Sequence, residues 1–108
     1  MVSIKEMSIS DRKFITDILM PRFKIHRLGI RHSDSTRKWP DIWIELGKIP
    51  VIIVTDEWAS HNKDLRRSQL VHEFLHLKGL EHGKIGKYNY NTHPELDSYS
   101  KLVYRRML

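Results

Sequence analysis

The 108-residue chain has the length of one domain, and its 19 Lys and Arg against 13 Asp and Glu give it a net charge of +6. Its 40% apolar and 30% charged residues exclude a wholly disordered protein. Because cysteine is absent, disulfides, thiolate metal sites and cysteine nucleophiles are excluded, and any metal must be held by His, Asp or Glu. No apolar run approaches the ~18 residues of a membrane span, and the N-terminus lacks the apolar core of a signal peptide. We therefore expect a single domain over residues 1–108, with a cytoplasmic location and no membrane partner.

The first part of the chain predicts one helix followed by an extended segment. Ser10 is a suitable N-cap for a helix whose apolar residues recur at helical spacing, and Pro21 is expected to end it. Residues 23–30 read as extended and residues 31–40 as loop.

Two strands are predicted next. Apolar residues alternate with Trp43 and Glu45 over residues 42–46, which is typical of a half-buried strand. Gly47-Lys48 suits a hairpin turn. Residues 51–54 are a continuous β-branched run after Pro50, which indicates a strand covered on both faces.

The remaining pattern predicts two helices. Asn62 or Ser60 can cap a helix that runs to Gly79, and residues 81–91 read as loop. Thr92-His-Pro-Glu resembles a capping box that opens a last helix through Arg106. The fold class expected is α+β: an N-terminal helix, a short three-stranded sheet, a central helix and a C-terminal helix.

The central helix carries the sequence His72-Glu73-Phe-Leu-His76. Histidines four residues apart on a helix project from one face about 40° apart and can grip one ion. Glu73 lies beside that face, where its carboxylate can take a proton from a water bound to the metal. Two neutral imidazoles suit Zn²⁺, so the spacing predicts a zinc-dependent hydrolase with Glu73 as the catalytic base.

The setting of the motif supports a metal. The flanking residues are mostly apolar, which predicts a buried helix: Leu70, Val71, Phe74, Leu75, Leu77 and Leu80. Burying polar side chains without partners costs ~1–3 kcal/mol each, and a metal removes that cost. A catalytic zinc usually takes three protein ligands, and the candidates for the third are His82, His93 and Glu95. For Glu95, pairing with Thr92 in the capping box is the simpler role. His26, His32 and His61 read as surface or loop histidines.

By this motif the chain resembles the zincin metallopeptidases. The run from His72 to His82, with Gly79 between, is similar to the metzincins, but their Met-turn has no counterpart here. The chain as a whole is more similar to the minigluzincins, small soluble relatives of the catalytic domains of HtpX-type membrane peptidases. In those membrane enzymes a downstream Glu-x-x-x-Asp supplies the third ligand and a supporting carboxylate. Here His93-Pro-Glu-Leu-Asp97 occupies that position, with His in place of Glu as in the minigluzincins.

The resemblance implies a zinc endopeptidase with His72, His76 and His93 as metal ligands, Glu73 as catalytic residue and Asp97 orienting a ligand from behind. His82 remains the alternative third ligand. The implied substrate is a peptide or protein in extended conformation, paired with the strand at 43–46 or at 51–54. Tyr88, Tyr90 or Tyr99 is a candidate for stabilising the oxyanion, although tyrosines in such positions more often serve packing.

Other readings remain at this point. The run from His76 to His82 also resembles the rRNA-maturation endoribonucleases, which would use His72, His76 and His82 but have Gly where this chain has Glu73. The basic residues are scattered and show no nucleic-acid-binding motif, so nucleic acid is not the expected partner. A non-catalytic zinc module would be expected to close its site with four ligands and would need no base. The third-ligand motif of the SprT-like proteases matches the sequence around His93 poorly. Self-association is left open.

Overall fold

The computed structural model describes residues 7–33, 41–78 and 93–108, with the backbone alone for residues 93–98. The fold class is α+β, with helices and one three-stranded sheet, as the sequence predicted. The chain divides into two units, Met1–Arg66 and Arg67–Leu108. Among the described residues, no helix has the length and apolar character needed to cross a membrane.

The first unit opens with a continuous helical segment: α1 (Ile9–Lys13), a π-helical stretch (Phe14–Leu19) and α2 (Met20–Phe23). Ser10 was the wrong choice of N-cap, because the Ser8 hydroxyl accepts the Asp11 N–H at 3.2 Å. The helix thus begins one residue before Ser10.

The prediction that Pro21 ends this helix is also wrong, because the chain stays helical to Phe23. Directly before the proline, the Met20 N–H bonds to the carbonyl of Ile15 in the wider π pattern. A shift of carbonyl register relieves the contact between a proline ring and the preceding turn. The helix ends at Lys24, whose φ of 55° lies in the left-handed region, and the Ile25 N–H closes the turn on the Met20 carbonyl at 2.9 Å.

The sheet has the order β1-β3-β2, with β1 at Gly29–Ser33, β2 at Ile42–Glu45 and β3 at Val51–Thr55. β3 is central, parallel to β1 and antiparallel to β2. Four residues of β3, Ile52, Ile53, Val54 and Thr55, are fully buried. The prediction of a covered β3 is therefore confirmed.

The predicted position of β1 is only partly right. The strand begins at Gly29, not within residues 23–28, and it continues through Ser33 into the predicted loop. Parallel pairing sets these limits, since Gly29 aligns with Val51 and Ser33 with Thr55. The predicted hairpin between β2 and β3 is confirmed, with Leu46 exposed beyond the end of β2.

Two helices follow β3. The short α3 (Asp56–Ala59), which the sequence did not predict, starts where the Thr55 hydroxyl accepts the Trp58 N–H at 3.3 Å. Helix α4 (Lys63–Leu77) is capped by Asn62, whose side-chain oxygen accepts the Leu65 N–H at 2.9 Å. Of the two predicted caps for α4, Asn62 is correct.

The second unit contains the rest of α4 and α5 (His93–Met107). Four of the six apolar residues that the sequence placed in the interior are buried on α4: Leu70, Val71 and Phe74 at 0% exposure, and Leu75 at 5%. Leu77 is half-buried, and Leu80 lies outside the described residues. On α5, Ser100 and Tyr104 are buried and Leu102 is exposed. The predicted start of α5 after Thr92 agrees with the structure, while Thr92 itself lies outside the described residues.

Candidate metal centre

His72 and His76 lie one turn apart on α4, and their side chains meet. The two Nε2 atoms are 3.0 Å apart, and the ring centroids are 4.8 Å apart with an interplanar angle of 60°. His72 is only 5% exposed. The helix therefore brings the Nε2 atoms of the two rings within hydrogen-bond distance of each other, as expected for residues i and i+4 on one face.

This geometry fits a zinc ion. Zn–N bonds of about 2.0–2.1 Å at a tetrahedral angle place two ligand nitrogens about 3.3 Å apart. The observed separation of 3.0 Å differs from that value by a few tenths of an ångström. A zinc ion held by both rings would therefore require the two Nε2 atoms to lie a few tenths of an ångström farther apart.

Glu73 lies beside the histidine pair and is also buried, at 8% exposure. Its neighbours Val71 and Phe74 are fully buried, so α4 carries an ionisable side chain within an apolar stretch. Burying a charged carboxylate is costly unless it is paired, and a nearby cation lowers that cost. Among the described side chains, the two imidazoles of His72 and His76 are the part of a divalent-metal site that the structure brings together.

Among the side chains that the structure describes, none joins this pair as a third ligand, because no group of three metal-binding residues occurs there. His93 is the first residue of α5, and Asp97 follows one turn later. The structure describes only the backbone of these two residues. The same holds for Glu95. His82, Tyr88 and Tyr90 lie outside the described residues, and Tyr99 is half-buried on α5.

The first unit holds a second set of polar side chains, which the sequence analysis missed. His32 and Asp56 form one pair, with Nε2 and Oδ1 2.7 Å apart, and His61 and Asp41 form another at 2.7 Å. The side chain of His32 is 6% exposed, so its prediction as a surface or loop histidine is wrong. It lies on β1, and the sequence showed no strand there.

A buried ion pair completes that set. Arg66 Nε donates to Asp11 Oδ2 at 3.0 Å, and the Asp11 side chain is 3% exposed. The two residues are 55 positions apart, so no local sequence pattern could have linked them.

Comparison of the chain with protein-family models, with curated proteins and with solved structures found no match.

Proposed function

We propose that this protein is a zinc-dependent endopeptidase. The observation that carries the proposal is the 3.0 Å separation of the Nε2 atoms of His72, which is buried, and His76, which is half-buried, on α4. Two imidazole nitrogens at zinc-ligand spacing, beside a buried carboxylate, form the part of a hydrolytic zinc site that one helix can supply. His93 is proposed as the third ligand, with Asp97 supporting the site.

When bound, zinc supplies a Lewis acid and a water of lowered pKa. Glu73 accepts the proton from the attacking water as the water oxygen bonds to the carbonyl carbon of the substrate. The same carboxyl then delivers that proton to the nitrogen of the departing amine as the C–N bond breaks. Burial of Glu73 keeps bulk water from competing for the proton.

The sheet restricts how an extended substrate can bind. β3 is paired on both sides, so it offers no edge to a peptide, and the suggestion that residues 51–54 receive the substrate is wrong. β2 pairs with β3 along one side alone among the described strands. β1 is the other edge strand, but of the two segments that the family resemblance offers, only β2 lies at an edge, so we propose β2 as the strand that pairs with a peptide substrate.

The alternative function is that of a metal-dependent endoribonuclease using His72, His76 and His82. The net charge of +6 suits an RNA substrate. In that chemistry the buried Glu73 has no assigned role, whereas the peptidase chemistry requires it. The two functions therefore differ in what they demand of one side chain.

The test is to offer zinc-loaded protein both denatured casein and structured RNA, with the wild type and Glu73→Gln compared. The proposal predicts cleavage of casein that a chelator abolishes, with a loss of about 10²–10⁴-fold in Glu73→Gln and unchanged zinc content. Glu57→Gln, at an exposed position of α3, is the matched control and should retain activity. Cleavage of RNA but not casein would replace the proposal with the alternative.

A further inference from the structure

A cleft of about 400 Å³ lies in the first unit. Its lining comes from the start of the N-terminal helix, from β1, from α3 and from the first turns of α4: Met7, Ser8, Asp11, His32, Trp58, Ala59 and Arg66. A volume of this size is within the range of small-molecule sites, which combine apolar walls with a few fixed polar groups.

Four of the lining residues are polar: Ser8, Asp11, His32 and Arg66. Arg66 contributes a guanidinium. Its Nε donates to Asp11 at 3.0 Å and its Nη1 donates to the His61 carbonyl at 2.6 Å. These two bonds fix the plane of the guanidinium. Nη2 makes no hydrogen bond to any residue that the structure describes, and 21% of the side chain is exposed. A fixed donor with spare N–H groups is therefore available on the cleft wall.

The charge balance of the cleft selects against an ionised ligand. Asp11 neutralises Arg66 at 3.0 Å, and the Asp11 side chain is buried. A second anion at Arg66 would lie close to that carboxylate, and a cation would meet the guanidinium. A neutral oxygen acceptor can take the Nη2 hydrogen bond without adding an unpaired charge.

The apolar part of the cleft suits a flat ring. Trp58 is 1% exposed and its indole is held by a bond from Nε1 to the Arg66 carbonyl at 3.3 Å, so this wall is rigid. The Arg66 guanidinium lies 6.0 Å from the centre of the Trp58 ring. Met7 and Ala59 complete the apolar lining. An aromatic ring that packs there loses little conformational entropy, because it has few rotatable bonds.

We propose that this cleft binds a small neutral molecule that combines an aromatic ring with an amide-type carbonyl, which accepts a hydrogen bond from Arg66 Nη2. Binding in this cleft does not depend on the proposed zinc chemistry. Its recognition rests on the Asp11–Arg66 pair and on the Trp58 wall.

Three probes of nearly equal shape test the proposal: benzamide, benzoate and benzamidine, which are neutral, anionic and cationic. Each is titrated into the full-length protein while backbone and indole N–H resonances are followed by NMR. Benzamide should bind most tightly, and the largest shifts should fall on Met7, Ser8, Ala59 and the indole N–H of Trp58. Tighter binding of either charged probe, or benzamide shifts outside the lining, would overturn the proposal.

Two variants assign the binding to the cleft. Arg66→Lys keeps the charge beside Asp11 but loses the forked donor, and it should weaken benzamide binding by at least about tenfold. Ala59→Phe places a ring in the cleft from an exposed position and should abolish binding. Arg22→Lys, at an exposed position of α2, should bind benzamide like the wild type. If Arg66→Lys does not fold, Ala59→Phe decides alone, and undiminished affinity in that variant contradicts the proposal.

Discussion

Removing the Arg66 side chain tests how strongly a buried ion pair stabilises the first unit. Arg66→Ala leaves the Asp11 carboxylate, whose side chain is 3% exposed, without its cation. Breaking a buried pair in this way costs about 3–5 kcal/mol, and the 21% exposure of Arg66 favours the lower end. We therefore expect a loss of about 3 kcal/mol in the free energy of unfolding.

The same value can be expressed as a change in melting temperature. With an unfolding entropy of about 2.1 cal/mol/K per residue, a chain of 108 residues has about 0.23 kcal/mol/K. A loss of about 3 kcal/mol then lowers the Tm by about 13 °C.

Removing Asp11 should lower the free energy of unfolding by less than removing Arg66. Asp11→Ala leaves Arg66 partly exposed and still bonded to the His61 carbonyl, so its loss should be nearer 1 kcal/mol. The exposed pair Arg31–Glu45, with side chains 58% and 54% exposed, offers a contrast, and Arg31→Ala should cost about 0–1 kcal/mol.

Urea unfolding of these variants, with Arg22→Ala as an exposed control, supplies the measurement. The order expected for the free-energy loss is Arg66→Ala, then Asp11→Ala, then Arg31→Ala and the control. If Arg66→Ala costs no more than Arg31→Ala, Asp11 and Arg66 do not form a buried pair in solution.

Three further predictions concern the metal and the helix ends. His93→Ala should lose zinc while His82→Ala retains it, and Asp97→Asn should weaken zinc affinity about 10–100-fold. Equilibrium dialysis measures zinc binding by these three variants. Loss of zinc in His82→Ala with retention in His93→Ala would favour His82 as the ligand. Thr55→Val, which removes the hydroxyl that caps α3 and bonds the Asp41 carbonyl at 2.8 Å, should cost about 1–2 kcal/mol by urea unfolding, while Thr55→Ser retains both bonds. Lys24→Gly should raise stability by about 0.5–1 kcal/mol because the φ of 55° suits glycine, and an unchanged or lower Tm would refute this.

The elements that could be predicted are those set by local pattern. The unbroken β-branched run at 51–54 is the buried central strand, and the side chain of Asn62 caps α4 at the predicted place. These features depend on neighbouring residues alone, so one sequence is enough to find them.

The errors lie where distant contacts or unusual backbone decide the structure. β1 is defined by its parallel register with β3, and nothing near Gly29 in the sequence reveals that partner. The helix continues past Pro21 because a π-helical stretch precedes it, which apolar spacing does not show. His32 is buried by tertiary packing and not by its local sequence.

The candidate site likewise has one part that local sequence predicts and one part that depends on distant contacts. The spacing of His72 and His76 predicted that they would meet, and their Nε2 atoms do so at 3.0 Å. The third ligand depends on how the chain returns after α4 and on where α5 begins, both of which are tertiary features. Its assignment to His93 stays a prediction.

Zinc content by equilibrium dialysis tests whether α4 holds a metal site at all. Wild-type protein should bind one zinc per chain, and the double variant His72→Ala/His76→Ala should bind none, because both ligand nitrogens on α4 are removed. His26→Ala, at an exposed position outside any helix or strand, should bind like the wild type. Stoichiometric zinc in the double variant would contradict the metal site, and with it the proposed peptidase chemistry.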